Sequence, residues 1–323
     1  MRIKLITVGG TIASIPNPDT GELVSGKLTG KELLQLCELD NTEIEIDNFR
    51  NLPSNHVTIQ DMLELSKVIK SLPEDEWDGV VVTHGTDTLE ETAFFLHLTL
   101  DKHIPVVITG SQRSFKDLGY DGGRNLQDAI LTAASPDSKD QGVLVVFNQQ
   151  IFSACYLTKF NSTNIHGFES PGNGPMGTTY GRKIHYFYNN RRPTQFININ
   201  ELVTSVDLFK MVAEFNPGLI RFSIENGSKG LVIEGFGVGS VPPDVEDAIA
   251  EAIKKEIPVV MTTRCTTGGT RVIYGGKGGG KPLSDIGVIF EENVSGPKAR
   301  LKLIAALSSG KNMSEIRKYF EEG

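Results

Sequence analysis

The chain has 323 residues, 39% of them hydrophobic, and a formal net charge of −8 at pH 7. This length and hydrophobic content can fill more than one core, so we expect two domains. Polyanion binding needs many Lys or Arg side chains on one face, and no basic cluster is longer than Arg191-Arg192. The composition therefore excludes nucleic acid as a partner.

The three cysteines are odd in number and far apart in the chain: Cys37, Cys155 and Cys265. Their spacing argues against a disulfide framework or a structural zinc site. No apolar segment of the sequence is long enough to cross a bilayer, and the first residues lack the pattern of a signal peptide. We therefore expect a soluble, cytoplasmic protein with no membrane partner.

Short β-branched runs alternate with helical patterns in the first half of the chain. The runs that predict strands are 3–8, 43–49, 79–83, 105–110 and 142–148. The patterns that predict helices are 31–40, 59–72, 89–101 and 125–135. This alternation implies right-handed crossovers and a doubly wound, mostly parallel sheet. Most of these strands are apolar almost throughout, which is typical of a sheet buried on both faces.

After Ile151 the pattern loosens, and a polar, turn-prone stretch follows at 191–205. We interpret that stretch as a linker between a catalytic α/β domain over 1–190 and a smaller α/β domain over 206–323. The glycine-rich stretch 275–281 lacks the spacing of a phosphate-binding loop, so we expect a flexible surface loop there.

Polar residues collect where the predicted strands end, and ligands bind outside the carboxyl ends of strands in open α/β sheets. The first strand leads into Gly9-Gly10-Thr11. Two glycines would leave room for close approach by a substrate, and Thr11 would offer a hydroxyl. The glycine spacing does not fit a dinucleotide loop. Taken alone, the motif is equally compatible with an ordinary turn.

The third strand leads into THGTDTLEE, residues 83–91. Thr88 and Glu91 have the spacing of a capping box, which predicts that a helix begins there. Capping explains one hydroxyl but not the crowding of Thr86 and Asp87 beside Gly85, so we favour a functional site. The Asp87 carboxylate would suit an ammonium group. We interpret the neighbouring His84 as a structural histidine.

The other strand ends are less informative by themselves. Ser54-Asn55 follow a proline and are compatible with a loop near a helix cap. The segment TGSQRS and the turn at 121–125 are equally compatible with a structural and a functional role. Lys159, in LTKFNST, is either a surface group or, if it lies near Asp87 and a threonine, a proton acceptor. No Asp, Glu and His cluster has metal-ligand spacing, so we expect no metal.

With GGTIAS (9–14), THGTDTLEETA (83–93) and LTKFNST (157–163) together, the chain resembles the bacterial-type L-asparaginases, the asparaginase/glutaminase family. The resemblance extends nearly from end to end, and the pair formed by the first two motifs is highly specific. It implies hydrolysis of the side-chain amide of the small-molecule substrate asparagine, to aspartate and ammonia, without a cofactor. It also implies a homodimer or homotetramer.

The resemblance further implies roles for individual residues. Thr11 looks like the nucleophile that forms an acyl-enzyme, and Thr86, Asp87 and Lys159 look like a second catalytic group. Ser54 is similar to the residue that holds the substrate α-carboxylate.

The remaining binding positions follow from the same comparison and from the expected chemistry. Asp87 resembles the residue that holds the α-ammonium, and Asn55 falls at a neighbouring binding position. Backbone amides near Gly10 and after Gly85 would stabilise the oxyanion, because such donors are aimed at developing negative charge.

The sequence also departs from the family pattern. The segment 14–27, which we interpret as a lid, contains no tyrosine, although many relatives carry one there. This leaves two candidates for the first attack, Thr11 and the Thr86–Lys159 pair. In the second domain, GFGVGSVP carries Val238 and Ser240, and CTTGGTRVIYGG lacks the acid that relatives present.

Three alternatives to an asparaginase remain. One is a glutaminase-leaning amidohydrolase, since one methylene separates the two substrates by only ~1–3 kcal/mol. A second is the amidase subunit of a tRNA-dependent amidotransferase, which usually carries an additional N-terminal domain that a motif beginning at Gly9 would leave no room for. The third, from another class, is a non-catalytic amino-acid-binding module.

Overall fold

The computed structural model describes residues 1–24, 26–39, 41–189, 196–199 and 201–322. The chain separates into two compact units, Met1–Phe196 and Ile197–Gly323. Much of the predicted linker, at 191–195 and 200, lies outside the described residues. Within the described ranges, no helix has both the length and the apolar character needed to span a bilayer.

The first unit contains twelve strands within its described residues. They are β1 Arg2–Thr7, β2 Ile15–Pro16, β3 Leu23–Val24, β4 Glu43–Asp47, β5 Gly79–Thr83, β6 Val106–Thr109, β7 Val143–Phe147, β8 Gln150–Ser153, β9 Thr158–Lys159, β10 Phe168–Glu169, β11 Gly177–Tyr180 and β12 Lys183–Tyr186. Eight of them form one sheet in the order β12-β11-β8-β7-β6-β5-β1-β4. The five strands from β4 to β7 in this order are parallel, and β8, β11 and β12 add an antiparallel edge.

Helices cover both faces of this sheet. They are α1 Gly30–Leu34, α2 Ile59–Ser71, α3 Leu89–Thr99 and α4 Gly122–Ala134. One core joins α2 and α3 to alternate strand residues such as Ile6 and Val82. The other core joins α1 and α4 to the intervening residues, such as Leu5 and Val81. Successive strand residues point to opposite faces of the sheet, and helices bury the residues of both faces. This arrangement confirms the predicted doubly wound, mostly parallel sheet.

Two predicted segments of the first unit differ from expectation. The helix expected over 31–40 ends at Leu34, and residues 35–37 continue as tighter turns with hydrogen bonds to the third residue back. The segment interpreted as a lid includes a short antiparallel hairpin of β2 and β3. Asn17 and Glu22 bond each other across its turn through their backbones.

The second unit is a smaller α/β unit, as predicted. Its strands are β13 Val206–Lys210, β14 Gly230–Gly235, β15 Val259–Thr263 and β16 Ile289–Phe290, all parallel and in sequential order. Its helices are α5 Gly218–Glu225, α6 Pro243–Lys254, α7 Gly280–Asp285, α8 Gly296–Ser308 and α9 Met313–Glu322. The core packs the strands against α5, α6 and α7 on one face.

The glycine-rich stretch 275–281 is not simply a flexible surface loop, because its second half is packed. Gly278, Gly279 and Gly280 are buried, and α7 begins at Gly280. Gly278 has φ +79°, and a Cβ there would lie 2.2 Å from the Val241 carbonyl oxygen. Gly275, in contrast, has open space around its Cβ position. These two glycines therefore differ in what they contribute to the fold.

We predict that Gly278→Ala lowers the free energy of unfolding by at least about 2 kcal/mol, since it adds a left-handed-region penalty to a collision with backbone. Gly275→Ala is the matched control and should change stability by less than about 0.5 kcal/mol. Denaturant unfolding of both variants checks this, and equal effects would show that the stretch behaves as one flexible loop.

Candidate active site

Three central strands end in register at one edge of the large sheet. Thr7 of β1 pairs with Thr83 of β5, and Thr83 pairs with Thr109 of β6. Since the strands are parallel, the segments that follow them leave the sheet side by side at its carboxyl edge. The polar motifs that begin at Gly9, His84 and Gly110 therefore start from neighbouring points.

Gly9 and Gly10 hold these segments together at close range. Their φ angles are +119° and +88°. A Cβ on Gly9 would lie 2.5 Å from the Leu52 carbonyl oxygen, and a Cβ on Gly10 would lie 2.2 Å from the Gly85 Cα. The expectation that both glycines leave room for substrate is wrong, because neighbouring backbone fills that space. The close approach joins the residue before Thr11 to the residue before Thr86.

Lys159 connects β9 to the Thr86–Asp87 segment. Its Nζ donates to Thr86 Oγ1 at 2.9 Å and to Asp87 Oδ1 at 2.7 Å. Thr86 is buried, the Lys159 side chain is 18% exposed, and the Asp87 side chain is 61% exposed. The cluster thus has a buried hydroxyl, a shielded amine and a carboxylate that solvent or a ligand can reach.

The charge of Asp87 is stabilised by its neighbours. The hydrogen bond from Lys159 lowers the pKa of this carboxyl from its usual value, aided by the Lys159 charge and a hydrogen bond from Ser54 and opposed by partial burial. The group is therefore a carboxylate at neutral pH. An exposed carboxylate beside a buried hydroxyl can bind a cationic ligand group next to that hydroxyl.

Ser54 is joined to the same segment from the side of β4. It lies in a short 3-10 helix, Ser54–His56, and its Oγ accepts from the Asp87 backbone N–H at 3.2 Å and donates to Asp87 Oδ2 at 3.3 Å. Asn55 is exposed beside it. The Ser54 hydroxyl is thus close enough to act with Asp87 on one ligand.

The predicted capping box at Thr88 and Glu91 is wrong. Thr88 is the N-cap residue of α3, but its hydroxyl makes no cap hydrogen bond. It donates instead to the Ser54 carbonyl oxygen at 2.7 Å. The tertiary contact between the two segments outcompetes the local cap, so Thr88 helps to hold Ser54 against the site.

His84 is buried behind the site and does not face it as a base. Its Nδ1 lies 2.8 Å from the Gly85 carbonyl oxygen and its Nε2 lies 3.0 Å from Thr92 Oγ1. A carbonyl oxygen only accepts, so Nδ1 carries the proton and Nε2 accepts from Thr92. Burial lowers the pKa of His84 to about 4, so the ring is neutral at pH 7. This arrangement supports the structural reading.

Gln112 is a site residue that the sequence did not single out. Its side chain contacts Thr86 Oγ1 through Oε1 at 3.4 Å, and the backbone N–H groups of Gln112 and Arg113 each donate to the Asp121 carboxylate at 3.0 Å. The available signal was its position three residues after the end of the third in-register strand, β6. Asp121 precedes α4, as expected, but its side chain serves this loop rather than the helix N-terminus.

The structure brings Gly10, Gly85 and Ser54 against the cluster of Thr86, Asp87 and Lys159. Thr11 follows Gly10 directly and begins a short 3-10 helix, Thr11–Ala13. The Tyr120 hydroxyl donates to the Ile12 carbonyl oxygen at 2.7 Å, and Ser14 Oγ donates to the Gly10 carbonyl oxygen. The first bond ties the Thr11 segment to the turn before α4, and the second closes the segment on itself.

A doubly wound α/β unit with a polar cluster at its carboxyl edge defines a class of ligand-binding and catalytic domains. Comparison of the sequence with known protein families identifies the family within this class. Residues 2–192 match the family described as "Asparaginase, N-terminal", and residues 205–320 match the "Glutaminase/Asparaginase C-terminal domain". The chain therefore belongs to the asparaginase family, which confirms the resemblance of its motifs.

Individual relatives match over nearly their whole length. An L-asparaginase of Bacillus licheniformis is 38% identical over 312 residues, covering 96% of each chain. A probable L-asparaginase of Deinococcus radiodurans is 38% identical, covering 100% of this chain and 98% of its own. The crystal structure of a probable cytoplasmic L-asparaginase from Campylobacter jejuni matches with a TM-score of 0.89 at 29% identity, covering 100% of this chain and 99% of its own.

The neutral His84 predicts a specific pH dependence of stability. Its folded-state pKa of about 4 lies below the ordinary value of 6.5, so the unfolded chain binds more protons between these values. The contribution of neutral His84 to the free energy of unfolding is therefore complete above pH 6.5. As the pH falls toward 4 and below, the free energy of unfolding decreases by on the order of 3 kcal/mol.

We predict that His84→Gln flattens the dependence of unfolding free energy on pH between 6.5 and 4, whatever its effect at pH 7. His185→Gln, at an exposed position of β12, is the control and should keep the parent slope. Denaturant unfolding at several pH values measures both. A His84→Gln slope equal to that of the parent would contradict the buried neutral ring.

Proposed function

We propose that this protein hydrolyses the side-chain amide of L-asparagine to L-aspartate and ammonia. The observation that carries the proposal is the contact of the Lys159 amine with both Thr86 Oγ1 and Asp87 Oδ1, beside the approach of Gly10 to Gly85. Family membership and the activity for which its relatives are named support the same substrate.

The substrate is a small amino acid, which carries an ammonium and a carboxylate on its α-carbon. The exposed, ionised Asp87 suits the α-ammonium. Without substrate the Ser54 hydroxyl donates to that carboxylate at 3.3 Å, and on binding it redirects this proton to the substrate α-carboxylate, with Asn55 on the same side. Binding at these positions directs the side-chain amide toward the hydroxyls.

The reaction proceeds through an ester on Thr11. The Thr11 oxygen bonds to the amide carbon, its proton passes to a base, and the C–N bond breaks as the nitrogen takes up a proton and leaves as ammonia. Water then attacks the ester, gives its proton to the base, and the Thr11 oxygen regains a proton as aspartate leaves. No cofactor enters either step.

Backbone amides stabilise the oxyanion that forms in both steps. The candidates lie near Gly10 and after Gly85, where the segments before the 3-10 helix and before α3 meet. Such donors are fixed before the reaction, so they cost no reorganisation when charge develops on the oxygen. Losing one donor typically costs ~3 kcal/mol of barrier.

Thr86 and Lys159 supply the base. Lys159 first gives one ammonium proton to solvent, and the resulting amine then takes the Thr86 proton across 2.9 Å as the Thr86 oxygen takes a proton from Thr11 or from water. Asp87 stabilises the ammonium that results, at 2.7 Å. This path needs no tyrosine in the 14–27 segment, since both proton-transfer groups come from the strand ends.

We also propose that the chain assembles as a homodimer or homotetramer in the cytoplasm. The second unit exposes three consecutive large side chains, with Val272, Ile273 and Tyr274 at 41%, 63% and 58%. Neighbouring exposed apolar groups are typical of protein contact surfaces. Light scattering of the purified protein tests the assembly, and a monomer would contradict it.

The cysteines bear on the cellular compartment. All three cysteines are free thiols, which suits a reducing compartment.

The catalytic proposal predicts the behaviour of three variants. Thr11→Val and Thr86→Val should abolish measurable ammonia release from asparagine, because each removes a hydroxyl that the reaction needs. Lys159→Met should lower kcat by about 10²- to 10⁴-fold while KM changes much less, since its role is proton transfer.

Exposed residues offer matched controls for these variants. Thr204→Val and Lys139→Met remove the same chemical groups from exposed positions and should keep the parent kcat. Ammonia release with asparagine and glutamine, measured side by side, also separates the asparaginase from its glutaminase alternative. A parent protein that binds asparagine but never turns it over would instead be a binding module.

A further inference from the structure

Thr86 has a second polar neighbour besides Lys159, and this neighbour lies in the loop after β6. Gln112 Oε1 is 3.4 Å from Thr86 Oγ1, and Gln112 Nε2 donates to the Asn161 carbonyl oxygen at 3.0 Å. A carbonyl oxygen only accepts hydrogen bonds, so the amide nitrogen must face Asn161. The orientation of the Gln112 amide is therefore determined, and its oxygen faces Thr86.

The direction of the Thr86 hydroxyl proton follows by elimination. In the resting site Lys159 is an ammonium and only donates, so Thr86 Oγ1 accepts from it through one lone pair. Gln112 Oε1 only accepts, so the Thr86 proton points toward Gln112. Among the described residues, Thr86 Oγ1 makes these two side-chain hydrogen bonds. Its second lone pair is therefore left for an attacking hydroxyl or water.

Gln112 is held on several sides. Its backbone is fixed by Asp121, whose carboxylate is itself bound by Asn125 Nδ2 at 3.1 Å. Its side-chain amide is enclosed by the loop between β9 and β10, where a Cβ on Gly167 would lie 2.0 Å from Gln112 Nε2. The amide thus has a fixed position from which it can direct a neighbouring hydroxyl.

We propose that Gln112 is a positioning residue that holds the Thr86 proton away from the attacking group and keeps one Thr86 lone pair open to it. This rests on the proposed amidohydrolase function. The contact is long, so the hydroxyl is directed but not trapped. Once the Lys159 ammonium has given one proton to solvent, the attacking group gives its proton to the Thr86 oxygen and the Thr86 proton leaves Gln112 for the Lys159 amine, so the numbers of protons and charges are conserved.

The test perturbs Gln112 in two independent ways. Gln112→Met keeps the length of the side chain but removes the acceptor, and it should lower kcat for asparagine roughly tenfold with KM within about twofold. Gly167→Ala removes no polar group from the protein. Its added carbon meets the flexible end of the Gln112 side chain and so pushes the Gln112 amide away from Thr86. It should lower kcat in the same manner.

The double variant Gln112→Met with Gly167→Ala should be no slower than Gln112→Met alone, because both changes act through one contact. Gln60→Met, on the surface of α2, and Gly276→Ala, with open space at its Cβ position, are the controls and should keep the parent kcat. Thermal unfolding of each variant separates lost catalysis from lost folding. Should Gln112→Met not fold, Gly167→Ala still tests the inference.

An active parent whose kcat survives both changes would overturn this inference alone. A rise in KM with unchanged kcat would also overturn it, since it would assign Gln112 to substrate binding. Multiplicative losses in the double variant would show two separate effects rather than one contact. A parent protein without any turnover would refute the proposed function, and this inference with it.

Discussion

The contact between Gly10 and Gly85 is the constraint on which the site depends. In-register strand ends bring the two segments to one edge of the sheet, but only glycine allows their backbones to meet, with Gly10 at φ +88° and its missing Cβ 2.2 Å from the Gly85 Cα. Thr11 and Thr86 each follow one of these glycines. The spacing of the two hydroxyl-bearing segments is therefore set by backbone packing rather than by flexible side chains.

The charges around the site are arranged for orientation rather than for stability. The Lys159–Asp87 pair is partly exposed, and such pairs contribute only about 0–1 kcal/mol to folding. Its value lies in holding the amine 2.9 Å from Thr86 Oγ1 and in keeping Asp87 ionised. Behind it, the buried His84 remains neutral at pH 7 and adds no competing charge. The site thus combines a firm backbone with an accessible anionic group.

The fold and several members of the candidate site could be predicted from the sequence, because continuous apolar runs and the polar residues after them are local signals. Strand β5 was predicted with its observed bounds, Gly79–Thr83, and its following motif pointed to Thr86 and Asp87. Predictions that depended on tertiary neighbours were less successful. The Thr88 hydroxyl bonds Ser54 instead of capping its helix, and Gly278 is packed against the Val241 backbone.

Gln112 is a residue that the sequence analysis missed because its contacts are tertiary. Nothing in TGSQRS distinguishes its amide from a surface group, since its partners Thr86 and Asn161 come from distant parts of the chain. The sequence singled out the two glycines before Thr11 as leaving room for substrate, but the space beside them is taken by backbone that the sequence alone does not place. At these positions the sequence gives the side chain but not the residues that it contacts in the folded chain.

Identification of the residue that carries the acyl group tests this account most directly. The Lys159→Met variant would be mixed with the hydroxamate of the aspartate side chain, whose better leaving group favours the first step over the second. The mixture would be quenched in acid and digested for peptide mass spectrometry. The account predicts an aspartyl ester on the peptide that contains Thr11. An ester on the peptide that contains Thr86, with Thr11 unmodified, would contradict it.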